Sequence, residues 1–487
     1  MTDGNITIKK AVIINAASRY LYIILAVVVN AILARIISPE DFGIMAIVTV
    51  FSTLFSTLSD FGLSTAIIQN KSLSRREIED VFSFSLYISL ILAIIMIVIS
   101  YPISIFYNEI RLIQIGQLLS ISLFFNSLSA VPNGLLCREK RFLEMSIRNV
   151  TVYISCAIIS IILALNGAGI YSLVVQTILI AIVTFVWNCV ISKIILHIKF
   201  RLGSIKKIAG YSGFQYAFSI LNYFSRNLDN LLIGKFIGTV PLAYYSKAYG
   251  LMLYPVNNIT GVITPVLHPI LSDHQNNKEY IYIQYIKIIK IISLISIYIE
   301  VICFFDSSEI VNIVLGQTWA ESSVCFKILS IAIMTQMITA TTGAIFQSLG
   351  ETRLLFIAGF INVAITVVGI SLGIVFGRTI TIVAMFVSGS YLFHFFISFF
   401  VMMHFGFFKS FLAFLSELKK EILILVMIFI FGILFINKLH FQTVIISFLA
   451  KIVFFTVVFV ILNITTGEYV YFLELFGKND GKKKKAK

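Results

Sequence analysis

Long apolar runs constrain this chain more than any other feature of its sequence. A helix of about 20 apolar residues crosses the ~30 Å hydrocarbon core of a membrane, and about fourteen such runs follow one another along the chain. Only 12% of the residues are charged, roughly half of what is typical of soluble domains. We therefore predict an all-α, polytopic membrane protein with spans near 11–34, 42–69, 81–105, 112–137, 145–165, 170–192, 208–236, 242–271, 284–305, 322–348, 353–376, 379–403, 421–437 and 442–465.

The first run carries an arginine inside the membrane. Polar and small residues recur there at helical spacing and form one stripe along one face. A lipid-facing arginine would cost several kcal/mol, so this face must turn toward protein or water. The stripe therefore predicts a polar interior, and it contains Asn15, Arg19, Tyr22, Ala26 and Asn30.

A signal for the start of a new helix follows the end of the first run. Ser38 is the predicted N-cap of the second helix, Pro39 its first residue and Asp41 the reciprocal member of a capping box.

Basic residues alternate in density between successive connections. One set of connections is rich in Lys and Arg, including the stretches around 71–76, 138–148 and 193–207. The other set holds only Arg35, Arg111, Lys235, Arg378 and Lys438. The positive-inside rule places the rich set in the cytoplasm. Both termini are then cytoplasmic, which requires an even number of spans.

An internal repeat divides the chain into two halves. Shifted by 200 residues, the opening stretch meets residues 215–243, so that Asn15 falls on Gln215, Tyr22 on Asn222 and Asn30 on Asn230. Two six-helix halves inserted in the same direction form a parallel repeat. We predict an N-terminal lobe at 1–200, a C-terminal lobe at 201–404, and two extra helices with a basic tail at 405–487.

Ionisable residues inside the spans are the candidates for function, because each is costly to bury. Arg226 and Asp229 lie three residues apart and could simply neutralise each other. Glu300 and Lys327 lie near span ends and favour snorkelling to the interface. Lys451 favours contact with a neighbouring helix or a position at the interface. Ion-coupling candidates are Asp60, Asp229 and Glu300.

The repeated stripe predicts the chemistry of the cargo. Amides suit a sugar-bearing substrate, and the planar fork of arginine suits a phosphate. The candidate substrate-binding residues are Arg19, Arg226, Asn15, Asn30, Gln215, Asn222, Asn230 and Lys247. Arg19 and Arg226, one from each half of the repeat, could hold a diphosphate between them.

Two common enzymatic motifs are missing from the sequence. It contains no GxxxxGK[ST] phosphate loop and no HExxH, and its five cysteines have no ligand spacing. We expect no catalysis, no cofactor and no bound metal. The net charge of +14 lies mostly in membrane connections, so nucleic-acid binding is not expected either.

Several sequence blocks together resemble a known family. They are ILARIISPEDFGIMAI at Ile32–Ile47, SDFGLSTAIIQ at Ser59–Gln69, PNGLLCREKRF at Pro132–Phe142, NYFSRNLDNLLIGKFIG at Asn222–Gly238, AYYSKAYGLMLYPVNNITGVITPVLHPILS at Ala243–Ser272, and FQSLGETR at Phe346–Arg353. In this combination the chain is similar to the O-antigen and exopolysaccharide flippases, the polysaccharide-transport branch of the multidrug/oligosaccharidyl-lipid/polysaccharide exporter superfamily.

The resemblance implies a flippase of the bacterial cytoplasmic membrane. Its two lobes would enclose a central cavity, and its cargo would be an undecaprenyl-diphosphate-linked oligosaccharide turned to the outer leaflet by alternating access. Arg19 and Arg226 match positions where this family often has arginine. The expected partners are this polyprenyl-linked cargo and membrane lipids, with a polysaccharide polymerase and a chain-length regulator as further candidates.

Two other functions compete with this one. A drug or small-molecule antiporter of the same superfamily would couple an intramembrane carboxylate to H⁺ or Na⁺. A membrane polymerase or ligase would need a large external loop to hold an acceptor, and the sequence has none.

Overall fold

The computed structural model of the protein describes residues 8–60, 63–70, 72–197, 213–435 and 443–471, together with 201, 203 and 441. Within these ranges the regular elements are helices, with no β-strand. The chain divides after Ala243 into two compact units, called here the first unit and the second unit.

The first unit consists mainly of long apolar helices. Its helices are α1 (Ile8–Ile36), α2 (Pro39–Asp60), α3 (Leu63–Gln69), α4 (Arg75–Tyr107), α5 (Arg111–Arg138), α6 (Phe142–Leu165), α7 (Ile170–Ser192) and α8 (Gly213–Phe236). Helix α1 packs on α6, α6 on α7, α5 on both α4 and α7, and α8 on α2.

The second unit contains more short helices. The division falls within α9 (Thr239–Ser272). The remaining helices are α10 (Lys278–Phe305), α11 (Ser307–Val314), α12 (Ala320–Ser330), α13 (Ile333–Thr339), α14 (Thr342–Ser348), α15 (Thr352–Gly377), α16 (Ile380–Val401), α17 (Phe411–Glu417), α18 (Lys419–Phe435) and α19 (Val444–Thr466). A π-helical turn, Met402–Gly406, follows α16.

The described helices confirm an all-α polytopic membrane protein. Ten of them are long and apolar enough to cross a membrane, or eleven when a bent pair counts as one span. The total of fourteen stays a prediction, and so do the lobe boundaries at 200 and 404.

One predicted span, the run at 322–348, is not a single continuous helix. The run at 42–69 contains α2 and α3, with residues 61 and 62 outside the described ranges. The run at 322–348 forms α12, α13 and α14, with a 54° bend between Gln317–Ser330 and Ile333–Ser348. At this bend Ile331 and Ala332 bond to carbonyls three residues back, the tighter pattern of a helix end. Apolar length alone does not report such breaks.

The predicted start of the second helix is confirmed. The Ser38 hydroxyl accepts a hydrogen bond from the backbone N–H of Asp41 at 3.2 Å, as an N-cap does. Four residues after the helix begins, Gly43 lies against Thr239 of the same unit. A Cβ on Gly43 would come within 2.0 Å of the Thr239 carbonyl oxygen, so only glycine allows this close approach.

Several basic residues of the predicted inner connections cap a helix end. Arg75 donates to the carbonyl oxygens of Ser192 and Lys193, each at 2.6 Å. Arg141 donates to the carbonyl of Ile191 at 2.7 Å. These guanidinium groups satisfy the free carbonyls at the C-terminus of α7.

Candidate functional site

Arg19 lines a cavity of about 400 Å³ inside the first unit. The cavity lies between α1, α6 and α7, and its walls mix hydroxyl, amide, phenol and aliphatic groups. The lining residues are Ser18, Arg19, Tyr22, Ser146, Asn149, Val152, Tyr153, Ile180 and Thr184. Two of the five residues of the predicted polar stripe, Arg19 and Tyr22, therefore line a cavity.

Helical spacing explains how the cavity is assembled. Ser146, Asn149 and Tyr153 lie at i, i+3 and i+7 on α6, so they share the face of α6 toward the cavity. Tyr153 packs edge-on against Tyr22 of α1, with ring centroids 4.8 Å apart. This contact closes one side of the cavity with two rings in a preferred aromatic geometry.

A buried arginine holds one of the lining residues, although its position in a basic connection predicts a cytoplasmic charge. Arg148 is 5% exposed. It donates through Nε and Nη2 to the Asn149 side-chain oxygen, at 3.1 and 2.7 Å. Its Nη1 donates to Asn133 at 3.2 Å and also to Asn188. All four bonds go to neutral amide oxygens.

This arrangement orients Asn149 in the cavity wall. Because the Asn149 oxygen is occupied by Arg148, its NH₂ group remains as a donor. Arginine, hydroxyls and an amide donor in one cavity suit a ligand rich in oxygen acceptors, such as a sugar or a phosphate. The signal that could have identified Arg148 is three asparagines in otherwise apolar spans: Asn133, Asn149 and Asn188.

The other predicted site residues of the first unit are only partly described. The side chains of Asn15, Asp60, Gln215 and Asn222 lie outside the described part of the chain. Arg226 on α8 is exposed, and it is not among the described residues that line the Arg19 cavity. The pairing of Arg19 with Arg226 around one ligand therefore stays a prediction.

The other stripe residues of the first unit differ in burial. Asn30 is half-buried on α1. Asp229 is 3% exposed and accepts the backbone N–H of Asn230 at 2.8 Å. The Asn230 side-chain oxygen is buried without a hydrogen bond among the described residues. In the second unit, Lys247 lies 5.7 Å from the ring centroid of Trp319, a cation–π contact.

Glu300 does not snorkel, contrary to the expectation from its position near a span end. It is 2% exposed, and its carboxylate accepts the backbone N–H of Met334 at 2.8 Å. Met334 is the second residue of α13, just after the bend in the broken span. The break frees N–H groups that would otherwise bond within the helix, and Glu300 satisfies one of them.

Lys451 contacts neighbouring helices, as expected for a lysine in the C-terminal pair of spans. It donates to the Glu309 carboxylate on α11 and, at 3.3 Å, to the carbonyl of Phe305. Its ammonium nitrogen also lies 3.6 Å from Asp306. We call Asp306, Glu309 and Lys451 the first cluster.

A second cluster joins α10, α18 and the residues that follow α19. Lys290 on α10 lies 3.8 Å from Glu421 and 4.0 Å from Glu468, and Lys420 lies 3.0 Å from Glu468. We call Lys290, Lys420, Glu421 and Glu468 the second cluster. Since α19 begins near the first cluster and ends at the second, it runs antiparallel to α10.

These features define a polytopic, all-helical membrane protein whose first unit holds a polar, arginine-lined cavity. The chain belongs to the family described as "Polysaccharide biosynthesis protein", whose model matches residues 32–324. This confirms the resemblance inferred from the sequence blocks.

Two relatives and one solved structure illustrate the similarity. The chain is 23% identical to an "Uncharacterized membrane protein in cps region" of Klebsiella pneumoniae, over 72% of this chain and 73% of the relative. It is 22% identical to the lipopolysaccharide biosynthesis protein WzxC of Escherichia coli, over 70% of each chain. The structure titled "Lipid II flippase MurJ, inward closed conformation" shares the fold, with a TM-score of 0.72, 16% identity, and coverage of 95% of this chain and 100% of that one.

Proposed function

We propose that this protein is a flippase for undecaprenyl-diphosphate-linked oligosaccharides in the bacterial cytoplasmic membrane, serving the biosynthesis of a surface polysaccharide. The single observation that carries the proposal is the cavity containing Arg19. Its residues offer one fixed positive charge together with hydroxyl, phenol and amide groups. Membership of the polysaccharide biosynthesis family supports the same cargo.

Arg19 would bind the diphosphate, and the neutral polar groups would bind sugar hydroxyls. A guanidinium cannot deprotonate in a protein, and its fork can hold two phosphate oxygens at once. Arg148 would position the donor group of Asn149 rather than touch the cargo, since it is buried behind Asn149. Leaving the polyprenyl chain in the bilayer avoids removing it from lipid.

Alternating access would move the head group between the two leaflets. Two states of similar energy are needed, with the cargo biasing their populations. The broken span at 322–348 supports such a mechanism, because broken helices are typical of transporter folds. The termini would face the cytoplasm, and the polymerase and the chain-length regulator of the pathway would receive the exported unit.

The test is a flipping assay in proteoliposomes. A polyprenyl-diphosphate-linked oligosaccharide is incorporated, and its exposure on the opposite leaflet is followed with a membrane-impermeant glycosidase. Arg19→Ala removes charge-assisted hydrogen bonds worth about 1.5–3 kcal/mol, so we expect about a 10- to 100-fold rise in the half-saturating cargo concentration. Arg19→Lys keeps the charge but loses the planar fork, so its half-saturating cargo concentration should lie between those of the wild type and Arg19→Ala.

Arg35→Ala is the matched control. Arg35 lies on the same helix, donates to the carbonyl of Ala31 at 2.8 Å, and is not among the described cavity residues. It should leave flipping unchanged. Wild-type flipping by a correctly inserted Arg19→Ala protein would refute the diphosphate role. Export of cationic drugs without any flipping would favour the antiporter instead.

A further inference from the structure

The first cluster contains more negative than positive charge. Asp306 is 0% exposed, and Glu309 and Lys451 are each 4% exposed. Asp306 lies at the α10–α11 junction, Glu309 on α11 and Lys451 on α19. With both acids ionised the cluster would carry one net negative charge away from water. An uncompensated buried charge costs several kcal/mol.

Glu309 has a full set of partners. Its Oε2 accepts the Ser308 hydroxyl at 2.7 Å. Its Oε1 accepts the Ser447 hydroxyl at 3.1 Å and also the Lys451 ammonium. Glu309 and Lys451 therefore form a neutral, hydrogen-bonded pair.

Asp306 has no such set. Neither of its carboxyl oxygens has a hydrogen bond within the described part of the chain, and Lys451 lies at 3.6 Å, beyond hydrogen-bond distance. Asp306 is also the N-cap residue of α11, yet its side chain makes no capping bond. An aspartate at that position normally accepts from the first turn of the helix.

We propose that Asp306 is a proton-binding site of the second unit, and that the bound proton supplies the positive charge the first cluster lacks. With Asp306 protonated, the cluster is neutral, and the carboxyl group gains a donor of its own. On losing the proton, the cluster acquires a net negative charge at the contact between α11 and α19. This inference does not rest on the proposed cargo or on flipping.

Most groups near Asp306 on the packed helices favour the proton. Glu309 on α11 and Cys303 and Glu300 on α10 contribute no cation. Lys451 on α19 favours the ionised form of Asp306, but it is already paired with Glu309. Lys327 on α12 lies over the ring of Phe304 instead, at 4.8 Å. Asp306 follows the end of the α10 span, and burial raises its pKa to about 7, from a usual 3.8.

The sign of the linkage follows from that direction. The folded protein holds the Asp306 proton at a higher pH than the unfolded chain does, so the stabilisation is present at low pH and is lost as pH rises through about 7. A sodium ion is a poorer occupant, because the Lys451 ammonium would repel it at close range.

Infrared titration of the purified, full-length protein in lipid nanodiscs tests the proposal. Protonated carboxyl groups have a C=O stretch separate from that of carboxylates, so their loss can be followed as pH rises. We expect part of the protonated-carboxyl absorption to titrate near neutral pH in the wild type, and the share that belongs to Asp306 to be lost in Asp306→Asn. Glu109→Gln, at a partly exposed site in the first unit, is the matched control and should leave the band unchanged.

Lys451→Met gives a second, independent readout. Removing the cation that favours the ionised form should move the titration of this band to higher pH by about 1–3 pH units. An unchanged band in a folded Asp306→Asn protein would overturn the proposal. So would a titration that moves when Na⁺ replaces choline, which would identify a sodium site. If Asp306→Asn does not fold, failure of Lys451→Met to move the band would overturn it equally.

Discussion

A buried arginine in the first unit and a buried acid in the second unit have different surroundings. In the first unit, Arg148 is a buried cation whose hydrogen-bond partners are three neutral asparagine side chains. In the second unit, Asp306 is a buried acid with no hydrogen-bond donor among the described residues, and it shares a single lysine with Glu309. Amides stabilise a guanidinium through hydrogen bonds without cancelling its charge. The cavity beside Arg148 therefore keeps a positive potential, which suits an anionic ligand.

Burial, not the count of charges, makes the second unit unusual. The first unit has an even larger excess of acid near α2 and α5, where Arg111 contacts Glu40, Asp41 and Glu109. There the side chains are 18–48% exposed, and water screens the repulsion. The Arg111 guanidinium lowers the pKa of Glu109, whereas burial raises the pKa of Asp306.

The largest expected effect is that of Lys451→Met on stability. The change leaves Glu309 buried without its cation, and breaking a buried ion pair in this way costs about 3–5 kcal/mol. The double variant Lys451→Met/Glu309→Gln removes both charges and should recover much of that loss. Thermal unfolding in detergent measures both. A double variant no more stable than Lys451→Met would show that packing, not charge, holds α19 on α11.

Arg148→Met should cost less than Lys451→Met. The substitution removes the charge itself and leaves only neutral amide oxygens short of a donor, for which we expect about 1–3 kcal/mol. The same variant should also weaken cargo binding, since Asn149 loses the contact that orients it. Arg141→Met, a half-exposed arginine near the start of the same helix, is the control for flipping. If Arg148→Met destabilises the protein as much as Lys451→Met does, the expected difference between the two buried sites is wrong.

Variants of Glu300 distinguish a structural role of this acid from a role in ion coupling. Glu300→Ala leaves the Met334 N–H without its acceptor, so we expect a loss of about 1–2 kcal/mol in thermal unfolding measurements. Glu300→Gln keeps an acceptor oxygen in the same place and should be close to wild type. If Glu300→Gln abolishes transport while stability is unchanged, Glu300 has the ion-coupling role that the sequence suggested.

The sequence predicted the features that depend on composition along one helix. Apolar length identified the membrane class, and Ser38 and Pro39 fixed the start of α2. The spacing of Arg19 and Tyr22 correctly anticipated a polar face that lines a cavity.

Features that depend on partners from distant parts of the chain were not predictable. The sequence predicted a cytoplasmic charge at Arg148. Its partners Asn133 and Asn188 are 15 and 40 residues away, so their contact with Arg148 could not be foreseen. The position of Glu300 near a span end predicted snorkelling, because the break near Met334 cannot be seen in an unbroken apolar run. Lys451 was expected to meet a neighbouring helix, but its acids lie more than 140 residues earlier.

The smallest effect concerns the exposed acid cluster around Arg111. The pKa of Glu109 is lowered, so the stabilisation is present above its usual value of 4.5 and is lost as pH falls through the lower, folded value. Because these groups are partly exposed, we expect Glu109→Gln to change stability by less than about 1 kcal/mol near neutral pH, and added salt to reduce the difference further. Thermal unfolding between acidic and neutral pH measures it. The opposite result would be a stability that falls as pH rises toward neutral, and a fall that Glu109→Gln removes. The acids around Arg111 would then behave like the buried first cluster.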